Sequence, residues 1–316
     1  MVAAVAALLL VVATPVAAGP GEPQVRRDIL YGTANGKSLL LDAYLPASGG
    51  DRRPAVVMIH GGGWRAGDKA SWGPEAAKLA QRGWVAFSVN YRLDEPGFFP
   101  AEVDDVQTAV RWVRSHARDY GVDPSRIAAL GESAGGHLAA MLATLGTGPL
   151  DEGARIRVGA AWSPPVDLTA LARSRGDGWI ARVMGCTLAT CPDRLAQASP
   201  VTHVDGDDAP LYLVNSTDEL VPLSQARAMA ARLQAAGVEH RLDVLPGRRH
   251  ALDFREEAWA PTVAFLDKHL NASTSAGSSR RPWSVVLAVV SPAVVIIAAS
   301  VLVWRRRRRR SAVARG

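Results

Sequence analysis

The chain has 316 residues, of which 48% are hydrophobic, so it can form the core of one large domain. Its formal net charge of +6 comes from arginines near the C-terminus, because acidic side chains slightly outnumber basic ones between residues 21 and 279. That part of the chain carries no basic stripe interleaved with aromatic side chains, so nucleic acid is excluded as the expected partner.

The chain begins with the apolar run MVAAVAALLLVVATPVAAGP, which ends in small residues. Such a run is typical of a secretory signal peptide, and residues 1–18 are assigned to one with a cleavage site near Ala18. Because no basic residue precedes the apolar run, an uncleaved membrane anchor is the alternative. Both interpretations predict that the chain is exported.

Residues 22–270 are predicted to form one domain of the α/β class. Two strand-like runs flank Asn35-Gly36, a strong signal for a hairpin. Apolar runs then alternate with helical patterns, which predicts a mostly parallel central sheet with helices on both faces. Residues 167–200 interrupt this alternation and are predicted to form a cap or an inserted loop. The predicted strands are RPAVVMIH, WVAFSVNYR, RIAAL, VGAAWS, APLYLVNS and HRLDVLPG, and the predicted helices are 74–82, 101–118, 136–145, 222–236 and 258–270.

The C-terminal region has the pattern of a membrane tether. Residues 271–282 are rich in Ser, Thr and Gly and are predicted to be a linker. Residues 283–304 carry no charge and are long enough to cross a bilayer as a helix, with a tryptophan at each border. The basic tail, residues 305–316, begins with six arginines that favour the cytoplasmic side. We therefore expect a domain outside the cell, anchored in the cell membrane.

The two cysteines, Cys186 and Cys191, are five positions apart in the loop-like stretch GCTLATCP. Export favours a local disulfide, and two free thiols are the alternative. No second Cys or His pair accompanies them, so the spacing fits no metal-binding motif. We expect no metal site.

The stretch GESAG, residues 131–135, matches the pattern G-x-S-x-G. This pattern forms a sharp strand-to-helix turn, in which small neighbours let a serine hydroxyl stand clear of the sheet. It follows a predicted buried strand and precedes a predicted helix, the context that such a turn requires. Ser133 is therefore predicted to be a nucleophile, and a simple turn serine is the alternative.

The stretch HGGGW, residues 60–64, follows another predicted buried strand. Acyl transfer requires backbone N–H groups that stabilise an oxyanion, and glycines let a substrate approach them. We predict that the amides of Gly62, Gly63 and Ala134 form this oxyanion hole. A phosphate-binding loop is the rival interpretation, but the lysine and hydroxyl of that motif are missing. His60 is expected to order the loop rather than to act as a base.

A serine nucleophile needs a histidine that accepts its proton and a carboxylate that orients the histidine. Of the seven histidines, His250 follows a predicted strand through the glycine-bearing loop LPGRRH and is the predicted base. Asp218 lies just beyond another buried strand and is the predicted carboxylate, whereas the adjacent Glu219 is expected to point elsewhere. The catalytic residues are thus predicted to be Ser133, Asp218 and His250, in the chain order of α/β-hydrolases.

The motifs HGGGW, NYRL, GESAGG, STDELVP and PGRRH together resemble the α/β-hydrolase superfamily. The resemblance spans residues 28–270 and is greatest to the esterases related to hormone-sensitive lipase and to the feruloyl-esterase-like bacterial carboxylesterases. It implies the α/β-hydrolase fold and a serine hydrolase without metal or cofactor, which cleaves small-molecule carboxylic esters through an acyl-enzyme. Three positions depart from the family pattern. Asn215-Ser216 replaces the usual His-Gly, and Ala251 stands where glycine is common.

Two other functions share some of these features. A peptidase or aryl-formamidase that acts on small amides would use the same machinery. A non-catalytic binding module on a hydrolase scaffold would carry a broken triad, whereas all three positions are present in this sequence. The sequence predicts neither the acyl and alcohol specificity nor the oligomeric state.

Overall fold

The structure is a computed structural model that describes residues 21–93, 99–176, 178, 181 and 184–272. The predicted signal peptide, transmembrane segment and basic tail, and all but the start of the predicted linker, lie outside the described residues. Within the described part of the chain, no helix is long and apolar enough to cross a membrane.

A single eight-stranded sheet forms the centre of the described domain, in the order β1-β2-β4-β3-β5-β6-β7-β8. The first two strands form an antiparallel hairpin, and β2 also pairs antiparallel with β4. All remaining neighbours pair in parallel, which confirms the predicted mostly parallel sheet. The strands are β1 (Gln24–Ala34), β2 (Lys37–Leu45), β3 (Arg53–Ile59), β4 (Val85–Val89), β5 (Val122–Glu132), β6 (Val158–Trp162), β7 (Leu211–Ser216) and β8 (His240–Leu245).

The hairpin turn between β1 and β2 has the geometry that its sequence predicts. Asn35 and Gly36 both have positive φ angles, 49° and 73°. A two-residue turn of this kind matches the right-handed twist of the strands that it joins. The hairpin therefore adds antiparallel strands to one edge of the sheet, as expected.

Helices cover both faces of the sheet. In β3, Val57 and Ile59 belong to one apolar cluster, whereas Val56 and Met58 belong to the other, as the two-residue period of a strand requires. Residues of α2, α3 and α6 pack in the first cluster, and residues of α1 and α7 pack in the second. The helices are α1 (Gly73–Gln81), α2 (Ala101–Ser115), α3 (Ala134–Leu145), α4 (Leu168–Arg175), α5 (Pro192–Gln197), α6 (Leu223–Ala236) and α7 (Arg255–Leu270).

The predicted insertion between β6 and β7 contains helices α4 and α5. Asp167 caps the start of α4, where its side chain accepts a hydrogen bond from the Ala170 N–H at 2.8 Å. Cys186 and Cys191 form a disulfide with their Cα atoms 6.1 Å apart, as export favours. The insertion lies at the carboxyl ends of the strands, where sites of open α/β sheets are found.

Two element boundaries differ from the predictions in a way that affects the site. Strand β5 extends to Glu132, and helix α3 begins at Ala134, two residues earlier than predicted. Only Ser133 separates the strand from the helix. The turn at this serine is therefore as short as a strand-to-helix turn can be.

Candidate active site

Ser133 forms the turn between β5 and α3 in a strained conformation, with φ 53° and ψ −119°. A Cβ atom on Gly131 would lie 2.1 Å from the Gly135 carbonyl oxygen, and a Cβ on Gly135 would lie 2.1 Å from that of Ile59. Both positions therefore require glycine. The turn is fixed by the Ser133 N–H, which donates to the Trp162 carbonyl at 2.7 Å. This is the backbone that the GESAG pattern predicts.

His250 reaches Ser133 from the loop that follows β8. Its Nε2 atom lies 3.0 Å from the Ser133 Oγ, although the two residues are 117 positions apart in the chain. About a fifth of the His250 side chain is exposed, so the imidazole borders solvent. The structure thus brings together the predicted nucleophile and the predicted base at hydrogen-bonding distance.

The carboxylate that contacts His250 belongs to Glu219, so the prediction of Asp218 is wrong. The Glu219 Oε2 atom is hydrogen-bonded to His250 Nδ1, and the Glu219 side chain is fully buried. The Asp218 side chain is 74% exposed and lies 3.6 Å from the Arg248 guanidinium. Asp218 therefore takes no part in the Ser-His-carboxylate arrangement.

A turn directly after β7 explains why the second acidic residue points inward. The Asp218 N–H donates to the Gly247 carbonyl at 3.0 Å, so this backbone still pairs with the segment after β8. In this turn the Asp218 side chain faces solvent, whereas that of Glu219 is buried.

One sequence signal could have identified Glu219. The tetrapeptide from Ser216 to Glu219 matches the S-x-x-E pattern, in which the glutamate accepts a hydrogen bond from the backbone of the serine. In the structure, Glu219 Oε1 accepts from the Ser216 N–H at 2.8 Å. Asp218 lacks such a partner because its side chain is one position too early.

Sequence reasoning also missed Ser163, which connects the acid to the histidine loop. Ser163 follows β6 directly, is fully buried and has a positive φ of 48°. Its hydroxyl donates to Glu219 Oε1 at 2.9 Å and accepts from the Ala251 N–H at 3.0 Å. Its position at the carboxyl end of a buried strand is the signal that could have found it. Ala251 has a φ of 55°, a conformation that glycine adopts without strain. This explains why glycine is common at this position in the α/β-hydrolase family pattern.

The predicted oxyanion-hole residues lie in the loop after β3 and at the start of α3. Gly62 and Gly63 follow β3 with φ angles of 110° and 63°. Among the described residues, neither amide donates to a protein acceptor. Ala134 is the first residue of α3, where an N–H has no intrahelical partner. Gly63 and Ala134 line the same cavity as Ser133, whereas Gly62 does not.

Two buried polar residues, Glu132 and His60, contact Gly61 in the glycine loop of residues 60–64. Glu132 accepts a hydrogen bond from the Gly61 N–H, and burial raises the pKa of its carboxyl to about 7 although that bond and His250 lower it. The His60 ring stacks on Tyr91 with centroids 4.5 Å apart, and its Nδ1 lies 2.8 Å from the Gly61 carbonyl oxygen. Burial lowers the pKa of His60. His60 therefore orders the loop, as the sequence analysis expected.

A cavity of about 280 Å³ opens beside the Ser133 hydroxyl. Its walls are mainly apolar, and a guanidinium is present among them. The side chains that give it this character are Trp64, Pro165, Leu171, Arg175, Leu220 and Val221. Within the described residues, no group of three or more His, Cys, Asp or Glu side chains is arranged to hold a metal ion. The arrangement supplies a nucleophile, a base and an apolar binding site, which together suit acyl transfer.

Comparison with known proteins finds relatives that are named as esterases. The esterase LipQ of Mycobacterium tuberculosis is 31% identical over 252 residues, which cover 75% of this chain and 59% of LipQ. An ethyl acetate hydrolase of Pseudomonas putida is 31% identical over 271 residues, which cover 79% of this chain and 84% of that protein. The chain spans about three fifths of the length of LipQ and of LipM, a probable carboxylic ester hydrolase of Mycobacterium tuberculosis.

A solved structure and a family model agree with these relatives. The structure of a thermophilic esterase of Thermogutta terrifontis, Est2, superposes with a TM-score of 0.65 at 26% identity, covering 81% of this chain and 95% of Est2. The family model BD-FAE matches residues 41–233, which is more than half of the chain. The chain therefore belongs to the BD-FAE family and has the α/β-hydrolase fold.

Proposed function

We propose that this chain is a carboxylic ester hydrolase that uses Ser133, His250 and Glu219. The observation that carries the proposal is the continuous hydrogen-bonded arrangement of these side chains, with Ser133 Oγ 3.0 Å from His250 Nε2 and a buried carboxylate on His250 Nδ1. Serine attacks a carbonyl carbon efficiently only when a base removes its proton as the bond forms. The three side chains meet this requirement.

In the first half of the reaction, Ser133 Oγ bonds to the ester carbonyl carbon while its proton passes to His250 Nε2. Glu219 stabilises the imidazolium that forms, because its charge is held at Nδ1. The carbonyl oxygen becomes negative and accepts hydrogen bonds from the amides of Gly62, Gly63 and Ala134. The bond to the alcohol oxygen then breaks, and His250 donates its proton to this leaving group.

In the second half, water attacks the acyl-serine ester. His250 removes a proton from the water molecule as its oxygen bonds to the acyl carbon. The same amides stabilise the second oxyanion. The bond to Ser133 Oγ then breaks, and His250 returns the proton to that oxygen. The net reaction converts one ester and one water molecule into a carboxylic acid and an alcohol.

The proposal is tested with Ser133→Ala and a matched control, Ser38→Ala, which changes an exposed serine on β2. Hydrolysis of p-nitrophenyl butyrate and covalent labelling by a fluorophosphonate probe are measured for both variants. We expect Ser133→Ala to lose both signals while its circular dichroism spectrum is unchanged, and Ser38→Ala to match the wild type. Undiminished hydrolysis by Ser133→Ala would refute the mechanism.

The relatives favour esters over the amide alternatives. LipQ is named as an esterase, and the Pseudomonas protein is named as an ethyl acetate hydrolase. Aminoacyl-arylamides and N-formylkynurenine are therefore expected to react much more slowly than p-nitrophenyl butyrate. The intact serine, histidine and carboxylate argue against a non-catalytic binding module.

We further propose that the enzyme is exported and anchored to the cell membrane, with residues 22–270 outside and residues 305–316 in the cytoplasm. The apolar runs at residues 1–18 and 283–304 and the arginines that follow support this orientation. The disulfide between Cys186 and Cys191 suits an oxidising compartment. Protease treatment of intact cells should release the active domain, and its retention in unlysed cells would contradict the orientation.

A further inference from the structure

We propose that the cavity beside Ser133 receives the acyl part of the ester and that Arg175 binds a carboxylate at the far end of the acyl chain. The preferred substrates are then half-esters of short dicarboxylic acids. This inference rests on the proposed esterase function and adds the chemical class of substrate. Three features of the cavity support this inference: the catalytic groups in its wall, the Arg175 guanidinium, which has no partner among the described residues, and the cavity volume.

The cavity lies on the acyl side of the nucleophile. The alcohol oxygen of an ester must be near His250 Nε2, because that nitrogen protonates it as it leaves. His250 is absent from the cavity wall, whereas Ser133 and the oxyanion-hole residues Gly63 and Ala134 form part of it. An ester with its carbonyl oxygen between those amides and its alcohol at His250 therefore directs its acyl chain into the cavity.

Arg175 is the last residue of α4 and lines this cavity together with apolar side chains such as Leu171 and Val221. Among the described residues, its guanidinium forms no hydrogen bond, ion pair or ring contact. By contrast, Arg92 pairs with Asp105 at 2.8 Å. The Arg175 side chain is exposed, and no protein group occupies its hydrogen-bond donors among the described residues.

A carboxylate is the group that fits such a site. The planar guanidinium presents parallel N–H donors that match both carboxylate oxygens. An uncharged acyl chain that covered Arg175 would remove water from these donors without replacing its hydrogen bonds, which costs free energy. A cavity that has apolar walls and the Arg175 cation therefore favours an acyl chain with a methylene stem and an anionic end.

The size of the cavity limits the length of that chain. Its volume of about 280 Å³ is just below the range of roughly 300–1,000 Å³ that drug-sized ligands occupy. A short dicarboxylic half-ester satisfies this limit, whereas a long fatty acyl chain does not. Hydrolysis of a half-ester consumes one water molecule, breaks the acyl carbon to alcohol oxygen bond, and releases a dicarboxylate and an alcohol.

A structural explanation for Arg175 makes a different prediction. A cation in the last turn of a helix interacts favourably with the helix dipole, and Arg173 on the same turn is placed equally well for this. That interaction would affect the stability of α4 but not the choice between substrates. Arg173 is exposed and does not line the cavity, so it provides the matched control.

The experiment uses three methyl esters, and methanol release is measured for each. Monomethyl adipate carries the anionic end, dimethyl adipate has the same chain without the charge, and methyl hexanoate has an apolar end. We expect the full-length wild type to show a kcat/KM for monomethyl adipate about tenfold above that for either neutral ester. This preference should fall as ionic strength rises.

Arg175→Gln should lower kcat/KM for monomethyl adipate about tenfold relative to both neutral esters. Arg175→Lys should retain part of the preference, because it keeps a point charge without the fork. Arg173→Gln should match the wild type on all three esters. Thermal unfolding of each variant separates a loss of fold from a loss of selectivity.

The outcomes distinguish this inference from the proposed function. If methyl hexanoate is hydrolysed in a Ser133-dependent way but Arg175→Gln changes all three esters equally, or changes none, then the inference is overturned and the esterase function stands. A wild type without preference for monomethyl adipate overturns it as well. If no ester is hydrolysed and the fluorophosphonate does not label the wild type, both proposals fail.

Discussion

The carboxylate that orients His250 is buried away from solvent. Glu219 is fully buried and has a protein donor on each carboxylate oxygen, because Oε1 accepts from Ser163 and Ser216 while Oε2 faces His250. A buried carboxylate held by several donors keeps both its position and its charge. The acid is therefore fixed by strand ends rather than by a flexible loop.

Exchange of Glu219 for Gln tests whether that charge is used. Glu219→Gln keeps the shape but removes the charge that stabilises the imidazolium, so kcat should fall by about 10³–10⁴-fold. Asp218→Asn, which changes the exposed neighbour in the same way, should leave kcat within twofold. Steady-state kinetics on p-nitrophenyl butyrate measure both. Equal losses in the two variants would show that the carboxylate on His250 has been misassigned.

Glu132 makes stability depend on pH, because burial raises the pKa of its carboxyl from 4.5 to about 7. Between these values, the unfolded chain releases this proton before the folded protein does, so rising pH favours unfolding. The wild type should therefore lose stability relative to Glu132→Gln as pH rises from 4.5 to 7, by up to about 3 kcal/mol.

Urea denaturation of both proteins at pH 5 and pH 8 measures this change. The side-chain amide oxygen that Glu132→Gln introduces can still accept the Gly61 N–H, so the hydrogen bond to the loop is kept in the variant. The Glu132→Gln variant should gain on the wild type at the higher pH. A stability difference that is the same at both pH values, or larger at pH 5, would contradict the raised pKa.

At the scale of elements, the loop that contains Gly62 and Gly63 is positioned by a close approach of the Gly62 and Ala66 backbones. Gly62 has a φ of 110°, and a Cβ atom there would lie 2.1 Å from the Ala66 carbonyl oxygen. Gly63 has a φ of 63°, and a Cβ there would have no heavy atom within 4 Å. The two adjacent glycines thus differ in the space around them, although both have a positive φ.

These glycines predict a contrast between two alanine variants. Gly62→Ala must shift the loop and misplace its amides, so kcat should fall by about 10²-fold or more, as when one oxyanion donor is lost. Gly63→Ala meets no protein atom within 4 Å and adds backbone strain of about 1 kcal/mol, so it should lose less activity than Gly62→Ala. Kinetics and thermal unfolding of both variants measure this. Equal activity losses would show that the Ala66 contact does not position the loop.

The elements of this fold are predictable from sequence because each has a local cause. The Asn35-Gly36 turn specifies its hairpin, and the glycines at 131 and 135 specify the turn at Ser133. The choice between Asp218 and Glu219 depends on how the turn after β7 is hydrogen-bonded to the segment after β8, which is a contact between segments distant in the chain. The role of Ser163 likewise depends on two other loops that meet it. Such contacts leave weaker traces in sequence than a turn does.

At the scale of the whole domain, one end of the central sheet holds the site, and the other end binds the end of α7. Ser133 stands at the carboxyl end of β5, whereas Arg126 near its other end donates to the Leu270 carbonyl at 2.7 Å. Arg157, just before β6, donates to the His269 and Ala272 carbonyls at 2.7 and 3.0 Å. The end of α7 is thus bound at the edge of the sheet opposite the site.

This arrangement predicts where the chain can be cut. A chain of residues 21–272 keeps the sheet, the site and the carbonyls that both arginines bind, so it should be recovered in the soluble fraction. Its kcat/KM for p-nitrophenyl butyrate should be within twofold of that of the detergent-solubilised full chain.

A chain that ends at Phe265 loses Leu266 and Leu270, which are at most 1% exposed, and should not fold. Each buried leucine contributes roughly 1.5–3 kcal/mol, a large share of a typical stability. An inactive 21–272 chain would show that residues removed from one of the two ends support the activity, and an active shorter chain would show that the end of α7 is dispensable.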